Sequence, residues 1–204
     1  MCLGNYESYR IHAYGSFLVM NPSTKECKQI PNLHGFGYAE PTHDYKIVKF
    51  CSCKNIVNVF SMKRNSWKNI EHDFHWRHAS DIPGASVNGA IHWVFDNDKI
   101  AAFDLVEEKF KTLPLPDVII DVSMCLLKVL ESYLLLYHEL GSQEFWIIKE
   151  YGVQKSWSRI LTGFPLCYLK PLYYLKNNEI MLGLNFVTFV FYNIKDGTVK
   201  GFND

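Results

Sequence analysis

Apolar residues along this chain come in short runs broken by tight polar turns, the pattern of brief strands rather than of long helices. Residues 17–20 are apolar, 21–26 polar, and 27–31 form a second short strand ending at Pro31. The same strand, turn and strand return at 59–70, at 100–114, at 145–160 with a longer turn around Gly152, and at 189–202 with a turn at Asp196-Gly197. The polar residue closing the first strand of each copy is Asn21, Ser61, Asp104, Glu150 and Asn193, at intervals of 40, 43, 46 and 43 residues. Six or seven positions later stands Cys27, Trp67, Phe110, Trp157 or Val199. A period of about 40–50 residues predicts propeller blades of four strands, with the recurring side chain wedged between neighbouring sheets.

Further strand pairs fill the intervals. Residues 45–53 precede the second copy. Residues 86–94 precede the third and turn at Asn88-Gly89, the strongest short hairpin signal in the chain. Residues 123–130 and 133–139 precede the fourth; 172–175 and 180–184, turning at Asn177-Asn178, precede the fifth. The competing reading is a helix over 122–140, because Leu126, Leu127, Leu130, Leu134 and Tyr137 also fit a helical stripe. The strand-like flanks favour the hairpin. Pro31, Pro83-Gly84, Pro114, Pro116, Gly163 and Pro165 fall between copies, and no linker interrupts them. The expectation is one all-β, kelch-like propeller domain over 1–204, of about five four-stranded blades and incomplete, with 1–16 leading in ahead of the repeat.

Composition narrows the function. A hydrophobic share of 48% and an aromatic share of 15% suffice for a packed interior. Twenty-one Lys and Arg balance twenty-one Asp and Glu, so no charge excess draws the chain to nucleic acid or to anionic membranes. The longest apolar stretch, 180–194, spans fifteen residues and holds Asn185, Thr188 and Asn193, too short and polar for a membrane helix. The first ten residues contain no secretory signal, and the six cysteines contain no CxxC pair, which together predict a cytoplasmic or nuclear protein.

One ordered set of segments carries more than a generic propeller. Asn21-Pro22-Ser23-Thr24, Gly35-Phe36-Gly37-Tyr38, Asp44 to Lys49, Val59-Phe60-Ser61 with Asn65-Ser66-Trp67, Val87 to Trp93, Ala102 to Leu105 with Leu113 to Pro116, and Trp146 to Val153 with Ser156-Trp157 occur in this order. Together they resemble the F-box associated region of plant F-box proteins, a kelch-like propeller family that includes the S-locus F-box proteins of self-incompatibility. The resemblance runs from about Leu18 to Phe202. It implies non-catalytic capture of a protein substrate through a face of loops, as part of an SCF-type ubiquitin ligase. In full-length relatives an amino-terminal F-box recruits a Skp-type adaptor and a cullin. Here only sixteen residues precede Phe17, and the Gly-Ser-Cys-Asn-Gly-Leu type stretch that opens the family's propeller is reduced to Cys2-Leu3-Gly4. The expectation for this chain is target binding without adaptor recruitment. A carbohydrate-binding or kelch-type enzyme propeller, or a non-functional truncated remnant, stays open as an alternative.

Candidate chemistry is sparse, and no catalytic, metal or cofactor-binding residue is assigned. Glu71 to His78 holds three histidines at intervals of three, which a helix would spread apart; a polar loop between blades, available for recognition, is the better reading. Cys51 and Cys53 share a strand face and read as buried free thiols. Gly35 and Gly37 ease a twisted strand rather than cradle a phosphate. His92-Trp93 reads as core, with the imidazole bonded to backbone. No Gly-x-Ser-x-Gly elbow exists. Arg64, Trp67 and Lys68 mix basic and aromatic character but fit a solvated rim better than an RNA platform.

Overall fold

The computed structural model describes residues 7–11, 16–21, 23–31, 33–51, 55–72, 83–95, 99–117, 125–138, 144–163, 168–175, 178–185 and 187–201. Nineteen short strands are formed by these residues, with two single-turn 3-10 segments, Glu40–Thr42 and Gln154–Ser156. Strands β1 (Glu7–Ile11), β2 (Ser16–Met20) and β3 (Cys27–Pro31) form the first sheet. The second runs in order through β4 (Gly35–Ala39), β5 (Asp44–Phe50), β6 (Ile56–Ser61) and β7 (Ser66–Glu71). The third comprises β8 (Ala85–Val87), β9 (Ala90–Phe95), β10 (Lys99–Asp104) and β11 (Lys109–Pro114). The fourth holds β12 (Cys125–Leu130), β13 (Tyr133–His138), β14 (Glu144–Ile148) and β15 (Trp157–Leu161). The fifth holds β16 (Leu169–Leu175), β17 (Glu179–Leu184), β18 (Thr188–Asn193) and β19 (Val199–Gly201). Strands consecutive in sequence are neighbours in every sheet, so each sheet is a meander, as the all-β reading predicts.

The helix considered for 122–140 does not form. Cys125 to Leu130 instead pairs antiparallel with Tyr133 to His138, turning at Glu131 with φ 54°. Leu134, Leu135 and Leu136 are all buried, so a helical stripe and a strand covered on both faces read alike in sequence. The first sheet also gains β1, inside the lead-in segment that the repeat had left out.

The polar residue that marks each copy in the sequence is the one that shapes its turn. Asn21 Oδ1 accepts from the Ser23 and Thr24 amides at 3.0 and 3.3 Å, and Asp104 Oδ1 from the Val106 and Glu107 amides, both at 2.9 Å. Asn193 Oδ1 accepts from the Lys195 amide at 2.9 Å, and Ser61 Oγ from the Arg64 amide at 3.0 Å. Such side chains mimic a backbone turn. Four residues after these markers the chain turns left-handed, at Lys25 (φ 59°), Asn65 (φ 50°), Glu108 (φ 55°) and Gly197 (φ 73°). The Glu150 copy has a longer turn, in which Ser156 Oγ donates to the Glu150 carbonyl at 2.7 Å.

The apolar follower is less regular than its spacing predicts. Trp157 is buried, its Nε1 donating to the Pro114 carbonyl of β11 at 3.0 Å, and Phe110 packs against Phe103 and Phe50 at centroid distances of 5.0 and 6.3 Å. These two are wedges. Cys27 and Val199, on the edge strands β3 and β19, are exposed. Trp67 lies against Phe60 at 5.1 Å and stays 49% exposed.

The chain divides into two compact units, residues 1–92 with 102–111, and 93–101 with 112–204. In the first, Val19, Ile30, Leu33, Ile47 and Phe60 form an apolar cluster. In the second, Leu130, Leu135, Phe145, Ile147, Leu169, Ile180, Leu182 and Val190 join the fourth and fifth sheets through one core. Each fully buried Leu, Ile or Phe there contributes about 1.5–3 kcal/mol.

Candidate functional site

Glu108 stands at the left-handed position of the β10–β11 turn, where a non-glycine residue costs about 1–3 kcal/mol of backbone strain. Three cations surround its carboxylate. Lys46 Nζ, from the middle of β5, donates to Oε1 at 2.8 Å and also to the Leu105 carbonyl at 2.5 Å. Arg64, from the β6–β7 turn, donates at 3.4 Å, and Lys68, from β7, completes the set. The Lys46 side chain is 4% exposed and that of Glu108 9%, whereas Arg64 and Lys68 are 60% and 58% exposed. Burial pushes the Glu108 carboxyl up, and the hydrogen bonds from Lys46 and Lys68 outweigh it, holding the group below the ordinary carboxylate range.

Beside the β6–β7 turn a second carboxylate is buried. Asp44 accepts from the Ser61 hydroxyl at 2.6 Å and from the Lys63 amide at 2.9 Å, while Lys63 Nζ donates to the Thr42 carbonyl at 2.8 Å. The Asp44–Ser61 bond fixes the ends of β5 and β6, and the Glu108 cluster ties β5 and β7 to the β10–β11 turn. At Glu108, three cations, Lys46, Arg64 and Lys68, therefore meet one carboxylate. Sequence reading passed over this cluster, because Lys46 and Glu108 lie 62 residues apart and nothing local marks either one.

The residues singled out in the sequence are mostly structural. His72 is not a loop residue open to a partner: it is buried with its ring against Phe110 at 5.4 Å and Phe50 at 6.5 Å. His75 and His78 lie outside the described residues. Among those described, no group of three or more His, Cys, Asp or Glu is placed to hold a metal ion. Cys51 is a half-buried free thiol, and Cys53 lies outside the described residues. His92 is fully buried, its Nδ1–H donating to the Ala85 carbonyl at 3.0 Å, as the core reading requires. Burial lowers its pKa to about 4, and the Ala85 bond opposes that shift. Gly37 answers to close packing: a Cβ there would sit 2.5 Å from Ser86 Oγ and 2.7 Å from Leu105 Cδ1. Arg64, Trp67 and Lys68 make a basic, partly aromatic surface on the β6–β7 hairpin.

The family model described as F-box associated beta propeller domain matches residues 9–196. The chain is similar to F-box protein CPR1 of Arabidopsis thaliana, 26% identical over 234 residues, covering 87% of this chain and 56% of that protein. It is also similar to F-box protein At4g22390 of the same plant, 25% identical over 187 residues, covering 70% and 46%. The chain thus spans about half the length of these curated relatives. Among solved structures it resembles the dihydro-heme d1 dehydrogenase NirN with a TM-score of 0.59 at 8% identity, covering 97% of this chain and 43% of that one, a likeness of fold alone. Five successive meanders and the family match make the fold an all-β propeller type, as the repeat predicts. No F-box is detected within the 204 residues.

Proposed function

Because the chain belongs to the F-box associated β-propeller family, we propose that it is the substrate-binding region of an SCF-type ubiquitin ligase receptor, gripping a protein through loops and edges without catalysis or cofactor of its own. The observation that carries this reading is the family match over residues 9–196, joined to relatives that are F-box proteins. The surface chemistry supports it, since the meanders present exposed charged and aromatic side chains such as Arg64, Trp67 and Lys68. In a ligase with an F-box the gain is one of proximity, since a target held on the propeller meets a tethered ubiquitin-charged enzyme at high effective concentration. The 204 residues supply the grip; in full-length relatives an F-box recruits the Skp-type adaptor and cullin.

The test uses purified components. A protein recovered by cross-linking to the chain in plant extract is expressed alone and titrated against the chain, with a Skp-type adaptor titrated in parallel. Saturable binding of the captured protein and none of the adaptor is the expected result. Binding of the adaptor, or failure of every captured protein to bind when purified, would overturn the reading.

A further inference from the structure

The β7 strand ends the second sheet, so among the described residues one edge of its backbone carries no sheet partner. Its first four residues, Ser66 to Asn69, are all exposed. Successive side chains of a strand point to opposite faces, and the register places Trp67 opposite Phe60 on one face and Lys68 opposite Val59 on the other. The first face carries an indole that is 49% exposed. On the second, Lys68 and the neighbouring Arg64 share the single Glu108 carboxylate with Lys46, three cations to one anion. Exposed tryptophan and arginine are the side chains most enriched where binding energy concentrates.

We propose that β7 is a docking edge for an extended, acidic segment of a partner protein, added as a further strand to the second sheet. The segment carries an apolar side chain and a carboxylate at adjacent positions. Alternation along an added strand then lays the apolar group beside Trp67 and turns the carboxylate toward Lys68 and Arg64. Charge complementarity selects the acidic residue, and the period of two sets its spacing from the apolar one. An RNA ligand is disfavoured by a patch with a single exposed aromatic ring, since strand-tracking platforms stack successive bases on several, and by the absence of net charge on the chain. This proposal rests on the reading of the chain as a protein-binding domain and names the chemistry of what it binds.

The test is display selection of random ten-residue peptides on the purified full chain, followed by titration of synthetic winners. The probes are those peptides and, separately, a twenty-nucleotide poly(U) RNA. Enriched peptides should share an apolar residue next to Asp or Glu. Their affinity should fall at least tenfold in Arg64→Glu/Lys68→Glu and in Trp67→Ala, and stay unchanged in Lys155→Glu. Because the double reversal places new carboxylates near Glu108, Arg64→Gln/Lys68→Gln serves as the milder variant, expected to lose at least threefold with an unchanged melting temperature. Binding should also slow hydrogen exchange of β7 amides. Peptides without a carboxylate, peptides that bind all variants like the wild type, no enrichment at all, or preference for poly(U) would each overturn the proposal. Peptides insensitive to the substitutions would move the grip elsewhere on the domain and leave the receptor reading standing.

Discussion

Replacing Glu108 by glutamine takes away the carboxylate that Lys46, Arg64 and Lys68 share while keeping its shape. Lys46 is then a buried ammonium whose remaining acceptor here is the Leu105 carbonyl. Removing one partner of a buried ion pair costs about 3–5 kcal/mol, and the 9% exposure of Glu108 favours the lower end, about 3 kcal/mol. The reverse substitution, Lys46→Met, is milder. Its apolar stem fills much of the same volume, and Glu108 keeps two cations in contact with water, so about 1 kcal/mol is expected. If the two side chains act as a pair, Lys46→Met/Glu108→Gln should cost about 2 kcal/mol rather than the sum of about 4, a coupling of about 2 kcal/mol. Urea titrations of the four proteins, followed by tryptophan fluorescence and far-ultraviolet dichroism with the slope m compared throughout, measure each term. Additivity within about 0.5 kcal/mol, or a Glu108→Gln cost below that of Lys46→Met, would refute the buried pair as an organising element of this hairpin.

Three further outcomes follow from the packing. Trp157→Ala should cost about 3–5 kcal/mol while Trp67→Ala costs less than about 1 kcal/mol, as read by urea midpoints; equal losses would contradict the difference in burial. His92 has a folded-state pKa of about 4 against 6.5 unfolded, so the unfolded chain binds the proton more readily. Its contribution is complete above pH 6.5 and shrinks as pH falls toward 4, by about 2 kcal/mol between pH 8 and pH 5. His92→Asn should lose that part of the pH dependence, and an unchanged pH profile would refute the assignment. Gly37→Ala should cost about 1–3 kcal/mol through the collision with Ser86 and Leu105, and a neutral result in a thermal melt would mean that β4 shifts freely.

What the sequence disclosed follows from what is local. Asn21, Ser61, Asp104 and Asn193 were visible as a repeat because each makes its turn with amides two or three residues on, so the constraint is written in one short stretch. Asn88-Gly89 was legible for the same reason: both residues take positive φ, 52° and 71°. Trp67 deceived because spacing fixes where a side chain recurs and leaves open what covers it. The Leu126 to Tyr137 region was ambiguous since a strand buried on both faces lacks alternation. The Glu108 cluster was invisible, because its members come from β5, the β6–β7 hairpin and the β10–β11 turn, and ion pairs of that separation leave no period in the chain.

The central claim, that this domain selects a protein for ubiquitylation and does no chemistry itself, is tested most directly by grafting an F-box onto the amino terminus of the chain. The graft is then reconstituted with a Skp-type adaptor, cullin, RING subunit and ubiquitin-charged enzyme around the purified binding partner. Ubiquitin chains should form on that partner only when the F-box and this domain are joined, and should vanish with Trp157→Ala. Modification that proceeds equally well with the F-box alone, or a partner that stays bound yet unmodified under the complete assembly, would contradict it.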